Sequence, residues 1–326
     1  MGFAGAPSHG ATSDRCVLQV SPKDISMPRR AFTLIELLVV IAVIALLIGI
    51  MLPMLGKSRE TGRTMVCLSN LRTLSQGWDL YADTNKDIMP GGRMVNLPGG
   101  KSNPLNWYEI GTGSKFRPSW IATIGSYVGV YPFNDPYPAD HPEYNRQDYD
   151  SKVYQCPVTP DWADERNHCY GYNFQFLGNA RQSNGKFINY PRRRANIQQF
   201  AITVMAGDGL GTAGAFPRAD RIPYINNGPD DYRAVANEGF NLDPPRLTST
   251  SDRCSTSYRS GPDPRHFGKS NFVFLDHHAE TRGVVDMGYG VINDGKYIDL
   301  DAATNELTNR FFSGTGGDDD PPDLPL

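Results

Sequence analysis

Phe32-Thr33-Leu34-Ile35-Glu36 leads directly into LLVVIAVIALLIGIMLPML, residues 37–55, and the fold hangs on how that run is read. Its nineteen residues carry no charge and no hydrogen-bonding side chain, against the ~18 apolar residues that mark a membrane span. At ~1.5 Å per residue the run covers roughly 28 Å as a helix. A buried core helix seldom runs this long without one polar residue. A secretory signal peptide shares the basic flank, here Arg29 and Arg30, but its apolar region spans only ~7–15 residues and ends at a small-residue cleavage site. Here the run continues into Pro53 and then Gly56-Lys57-Ser58-Arg59-Glu60, without such a site. A single-pass membrane anchor is therefore expected. Glu36 stands at its head, and a lone carboxylate costs ~2.5–3.5 kcal/mol at the centre of the hydrocarbon and less near its edge. Its presence there asks for a partner or a place at headgroup level.

The remaining composition narrows the class. The 326 residues carry a net charge of −3, which leaves no basic footprint for phosphate backbones and argues against a nucleic-acid partner. Among them, 33 Gly and 25 Pro exceed the ordinary ~12% for the two together, so a loop-rich head with short elements is expected. Beyond the membrane, Thr61, Met65, Leu68, Leu71, Leu74, Trp78 and Tyr81 recur at three and four residues, with Arg59, Glu60, Arg63, Asn70 and Arg72 between them. The pattern predicts one helix over 32–83, membrane-spanning in about 37–55, ended by Asp83 to Asp87 and Pro90-Gly91-Gly92. A head over 84–312 follows, with strands expected at Phe200–Ala206, Phe272–Leu275 and Tyr289–Ile298, and short helices at Leu105–Ile110 and Ser119–Val128. The tail 313–326, SGTGGDDDPPDLPL, reads as disordered and acidic. The fold class is α+β: a long N-terminal transmembrane helix on a head with a small antiparallel sheet.

Few motifs in the head carry chemistry. Gly209-Leu210-Gly211-Thr212-Ala213-Gly214 matches G-x-G-x-x-G, but a dinucleotide site needs a helix to open there. The chain continues instead into Phe216-Pro217-Arg218 without helical periodicity, so a Gly-rich loop is expected. Cys16 precedes the apolar run; Cys67, Cys156, Cys169 and Cys254 follow it, on the oxidising side of the membrane, and allow three disulfide pairings. No C-x2-C spacing is present, which argues against zinc held by cysteines. His266, Asp276 and His277, with His278 behind them, offer imidazole and carboxylate donors for a metal. The same residues also fit a hairpin closed by a hydrogen bond between His266 and Asp276. No cofactor is required, although Asp230 and Asp231 leave a structural Ca²⁺ site open. A nucleophile elbow, a zinc signature and an evident acid pair are all missing, and no enzyme activity is expected.

Residues 28–40, PRRAFTLIELLVV, closely resemble the processing signal of type IV prepilins. The resemblance implies cleavage between Ala31 and Phe32 by a prepilin peptidase, methylation of the new Phe32 amine by an N-methylation enzyme, and pairing of Glu36 with a neighbouring subunit's N-terminus. Ala31 departs from the Gly usual before the cut. Pro53, 21 residues after Phe32, matches the helix-kinking Pro of many pilins. On this reading 1–31 is a leader, of which 1–26, before Met27, is a spurious or dispensable extension, and the mature chain carries 28 basic and 33 acidic side chains. Cys67 with Tyr154-Gln155-Cys156-Pro157, Cys169-Tyr170-Gly171-Tyr172-Asn173 and the His266-x9-Asp276 spacing further resemble large G-type pseudopilin-like proteins. That likeness favours Cys67–Cys156 and Cys169–Cys254 bridges. It also places His277 where the family has the Gly of an Asp-Gly turn; if that turn needs a positive φ, either His277 tolerates it or the turn differs.

The function so implied is a structural subunit of a type IV pilus or a type II secretion pseudopilus. It would be anchored in the inner membrane, with its head in the periplasm or outside the cell, and would pack with other pilin or pseudopilin subunits. The alternative is an anchored, non-polymerising binding module for carbohydrate or envelope polymer. Its stacking platforms would come from Trp107, Tyr108, Trp120, Tyr131, Phe133, Tyr137, Tyr144 and Tyr149.

Overall fold

Thr33 and Glu36 start the long helix by capping each other. The Thr33 backbone and hydroxyl donate to Glu36 Oε2 at 2.8 and 2.9 Å, and the Glu36 backbone N–H donates to Thr33 Oγ1 at 3.2 Å. This reciprocal box satisfies donors that a helix N-terminus otherwise leaves open. From there α1 runs over Leu34–Thr84, 51 residues, without interruption at Pro53, although a proline there cannot donate to the Gly49 carbonyl. The computed structural model describes residues 32–94, 97–110, 113–129, 151–159, 168–178, 180–183, 186–189, 191–223, 231–248, 251, 259–297 and 307–321. Ala31 and the leader, Cys254, Asp230, and Tyr131, Phe133, Tyr137, Tyr144 and Tyr149 lie outside them.

The chain divides between Met54 and Leu55 into two units. In the first, the apolar side chains of α1 are exposed throughout, and the helix has the length and hydropathy to cross a membrane. In the second, the remainder of α1 packs on a loop-rich head that carries a small antiparallel sheet. The elements after α1 are β1 Trp107–Ile110, β2 Gly113–Phe116, α2 Trp120–Ile124, β3 Tyr170–Tyr172, β4 Ala180–Ser183, β5 Lys186–Asn189, β6 Val204–Gly211, β7 Gly261–Pro262, β8 Ser270–Phe274 and β9 Ala279–Arg282. The five-stranded sheet has the order β3-β6-β8-β9, with β7 also on β6, and β1-β2 and β4-β5 are separate hairpins.

The sheet is covered on both faces, so its central strands are apolar in both directions. Met205 and Val273 join Leu71, Leu74 and Trp78 of α1 in one core, while Val204, Phe272 and Phe274 face the opposite core with Tyr289, Tyr297 and Phe312. This is the period-two alternation of a strand. The buried face of α1 is Thr64, Cys67, Leu68, Leu71, Leu74, Ser75, Gly77, Trp78 and Ala82. The expected stripe was rotated from this: Thr61 and Met65 are exposed, because the polar Thr64 and Cys67 turn inward to meet partners on the sheet. Trp78 stacks on Trp120 at 4.4 Å and on Tyr172 at 5.1 Å. At the end of the helix, Arg194 gathers Asp79, Asp83 and Asp87 at 3.3, 2.6 and 3.0 Å.

Several expected elements differ. Leu105–Ile110 is a short 3-10 turn followed by β1, because Trp107-Tyr108-Glu109-Ile110 pairs with Gly113–Phe116 as a hairpin. The strand expected at Phe200–Ala206 begins only at Val204 and then runs through Gly207, Gly209 and Gly211. The G-x-G-x-x-G stretch is therefore strand and then one 3-10 turn, rather than a loop. Glycine is needed at 211 because its φ is +65° and an added Cβ would lie 2.1 Å from the Asn237 carbonyl oxygen. Val291 and Tyr297 form one isolated bridge, flanked by Gly288 and Gly295 at positive φ, in place of a strand. The start of the tail is also held: Arg246 pairs with Asp318 at 2.9 Å and Asp320 at 2.6 Å, and the Asn309 N–H donates to Asp318 at 2.7 Å. The acidic run 318–320 thus finds a part-buried cation, which corrects the expectation of disorder for 313–321.

Candidate metal centre

Four segments of the second unit converge on one point. Cys67 lies on the buried face of α1, Asp208 in the middle of β6 opposite Tyr170 of β3, Cys156 in the loop after the 3-10 turn Lys152–Tyr154, and His266 at the tight turn entering β8. Local sequence explains each placement. Asn70, one turn along from Cys67, donates to the Lys152 and Gln155 carbonyls at 3.0 and 2.9 Å and so pins the Cys156 loop to the helix. His266 and Lys269 bond reciprocally at 2.9 Å across Phe267 and Gly268, both at positive φ, the pattern of a two-residue hairpin.

The donor atoms are close. Cys67 Sγ donates to Asp208 Oδ1 at 3.3 Å, Cys156 Sγ lies 3.4 Å from His266 Nε2, and that nitrogen lies 3.4 Å from Asp208 Oδ2. All four residues are buried, and one ligand atom from each falls within 4.8 Å of the others. Around them, Thr64 Oγ1 meets His266 Nδ1 at 3.0 Å, the Asn271 N–H donates to Asp208 Oδ2 at 2.7 Å, and the Tyr170 hydroxyl donates to Cys67 Sγ at 3.3 Å. Thr64 gives its own hydroxyl hydrogen to the Glu60 carbonyl at 2.9 Å. It therefore accepts from Nδ1–H, and the other ring nitrogen faces the cluster.

The electrostatics are those of a tightly packed set. Interaction with the adjoining Cys67 thiol brings the Cys156 thiol down to about 4 against the cost of its burial, with His266 and Arg265 helping. Burial pushes the Cys67 thiol up, and its bond to Cys156 and the Asp208 charge add to this. Burial likewise pushes Asp208 up to about 7 although Arg265 and His266 oppose it. His266 is raised despite burial, by its bond to Cys156 and the Asp208 charge. Two thiols, an imidazole and a carboxylate so disposed can hold a transition metal. They form a donor set too soft for calcium, which takes six to eight oxygens.

The expectations are corrected accordingly. The view that no cofactor is required, save for loop Ca²⁺, gives way to this cluster of two cysteines, a histidine and an aspartate, and Asp231 is instead bound to Arg233 at 2.7 Å. Of the expected ligands His266, Asp276 and His277, only His266 belongs to the cluster. Strand β8 separates it from the hairpin turn, where His277 contacts Asp79 at 2.8 Å and Ser75 at 3.0 Å, and Asp276 contacts His278 at 2.5 Å. His277 does adopt the left-handed backbone, with φ of 68°. Cys67, Cys156 and Cys169 are free thiols; Cys169 donates to the Tyr154 carbonyl at 3.2 Å and accepts the Cys156 N–H at 3.0 Å. Trp120 is core rather than platform, its indole N–H given to the Phe240 carbonyl at 2.7 Å, while Trp107 is partly exposed beside Phe116. Sequence reasoning missed Asp208 altogether; its only signal was a lone acid inside a glycine-rich apolar run.

Residues 26–52 match the prokaryotic N-terminal methylation motif. The matched segment takes in Phe32 and Glu36 and ends just before Pro53. No curated protein and no solved structure matches the chain. With its exposed apolar helix, the chain is a membrane-anchored protein carrying a signal of the processing and methylation type.

Proposed function

We propose that the chain is a non-catalytic structural subunit of a type IV pilus or a type II secretion pseudopilus. A prepilin peptidase cuts between Ala31 and Phe32, an N-methylation enzyme modifies the new amine, and the apolar half of α1 holds the subunit in the inner membrane with its head on the far side. The observation that carries this reading is a coincidence in one segment. The methylation motif over 26–52 falls on a helix whose apolar side chains are exposed from Leu34 to Leu55. Such a surface needs lipid or other helices around it. Glu36 fits the assembly role: its cap partner Thr33 is local and solvent-exposed, so a neighbour's Phe32 amine can take over the carboxylate.

Two measurements test the proposal. Mass spectrometry of the membrane-extracted protein should find a chain that begins at N-methyl-Phe32, present only in cells with the peptidase; a chain beginning at Met1 or Met27 in both strains would overturn the processing step. The variant Glu36→Ala should remain membrane-bound and folded yet fail to enter filaments. Normal incorporation would remove Glu36 from the mechanism.

A further inference from the structure

We propose that Cys67, Cys156, Asp208 and His266 bind one Zn²⁺ as a closed tetrahedral site that fastens α1 to the head. The distances suit it. Zinc bonds of ~2.0–2.1 Å to N or O and ~2.3 Å to S set tetrahedral edges of about 3.4–3.8 Å between ligands, and with Oδ1 as the Asp208 corner the cluster has Cys67 Sγ to Asp208 Oδ1 at 3.3 Å and Cys156 Sγ to His266 Nε2 at 3.4 Å, while Oδ2 is held by the Asn271 N–H. The four ligand atoms lie within 4.8 Å of one another, so small shifts make room for the ion.

The surroundings are those of ligands held for a metal. Each donor has an outer partner that fixes its orientation: Thr64 for His266, Asn271 for Asp208, Tyr170 for Cys67 and the Val158 N–H for Cys156. Such partners set the tautomer of a ligating histidine and aim the ligands. Thr64 leaves His266 Nε2, the nitrogen beside Cys156 and Asp208, as the coordinating atom. Two thiolates and one carboxylate around Zn²⁺ leave one net negative charge, and Arg265 lies beside it, held by the Gly209 carbonyl at 2.5 Å and Asp263 at 3.1 Å.

Three alternatives fit less well. A hard cation would not choose two sulfurs. A catalytic zinc keeps an open position for water, whereas here all four corners are protein and all are sealed from solvent. A Cys67–Cys156 disulfide would use two of the four groups and leave a buried carboxyl and imidazole facing each other with no common partner. The disulfide and the zinc site exclude each other, so they can be told apart.

The experiment uses the full chain, extracted in detergent under nitrogen from zinc-supplied cells. Elemental analysis should give one zinc per chain. Alkylation followed by mass spectrometry should show Cys67 and Cys156 as thiols that react only after chelation or unfolding. Exchange with Co²⁺ should give the thiolate charge-transfer band and intense visible bands of a tetrahedral site. Cys156→Ser should lose the zinc, while Cys169→Ser, which alters a neighbouring thiol that coordinates nothing, should keep it. Should Cys156→Ser fail to fold, Thr64→Val replaces it, with zinc affinity expected to fall about 10–100-fold through the freed imidazole. A metal-free chain with Cys67 and Cys156 disulfide-bonded would overturn the assignment, as would a metal-free chain with both thiols intact, or zinc that survives Cys156→Ser in folded protein.

Discussion

Replacing Asp243 with asparagine should flatten a pH dependence of stability that the wild-type head carries between about pH 4 and pH 7. Asp243 is fully buried, its Oδ2 accepting the Ser260 N–H at 2.8 Å and its Oδ1 the Gln175 side-chain N–H at 3.1 Å. Burial pushes the carboxyl up from 3.8 to about 6, although the two hydrogen bonds and Arg259 oppose the rise. The sign follows from proton uptake. The folded chain binds this proton more tightly than the unfolded one, so its contribution is fully present below 3.8 and is lost as pH climbs through 6. A shift of about two units corresponds to about 3 kcal/mol. In Asp243→Asn nothing titrates at this position. The carboxamide oxygen keeps the Ser260 N–H, and its NH2 meets the Gln175 oxygen once that amide turns over. Urea unfolding of the full chain in micelles, followed by tryptophan fluorescence from the buried Trp78 and Trp120, gives both curves. The stability gap should move by about 3 kcal/mol in the variant's favour from about pH 4 to about pH 7.5. Two curves that stay parallel within ~0.5 kcal/mol would refute the account of Asp243 as a carboxyl held mainly by desolvation.

Two further perturbations probe how the head grips α1. Trp120→Ala removes the ring stacked on Trp78 and the indole N–H given to the Phe240 carbonyl, which keeps only the Tyr172 N–H, so a loss of about 3–5 kcal/mol is expected by denaturant titration; a loss under about 1 kcal/mol would return Trp120 to the list of surface platforms. Arg194→Ala leaves Asp79, Asp83 and Asp87 crowded at the end of the helix. It should cost about 1–3 kcal/mol at low ionic strength and clearly less at about 1 M salt, and a cost that salt does not change would point to packing instead.

How much of this could be read from the chain follows from how far apart the deciding residues lie. The anchor is contiguous, so nineteen apolar residues and one Glu declared it without any knowledge of the head. The α+β class also came through, because Ser270 to Val273 pair locally with Ala279 to Arg282 and the intervening turn is short. The cluster did not, since Cys67, Cys156, Asp208 and His266 have no common spacing and meet only when a helix, a loop, a central strand and a hairpin turn are packed together. Cys67 and Cys156 were recognised as belonging together, yet as a bridge rather than as thiols beside a carboxylate. Thr64 and Cys67 misled the helical stripe for the same reason: their burial is polar, and hydrophobic periodicity does not register it. Leu105 to Ile110 reads as a helix from the chain alone because so short a run fits helix or strand equally, and the partner at 113–116 decides.

The hydrogen bond between Thr64 and His266 joins positions 202 residues apart. During synthesis the first of these emerges with the anchor, and the second only after most of the head has been made. Closing so long a loop is slow and entropically costly, so the corner supplied by His266 arrives after those of Cys67, Cys156 and Asp208. Completion of the cluster thus waits on chain order, since α1 meets the head at this point only once His266 and Asn271, which holds Asp208, have both been made.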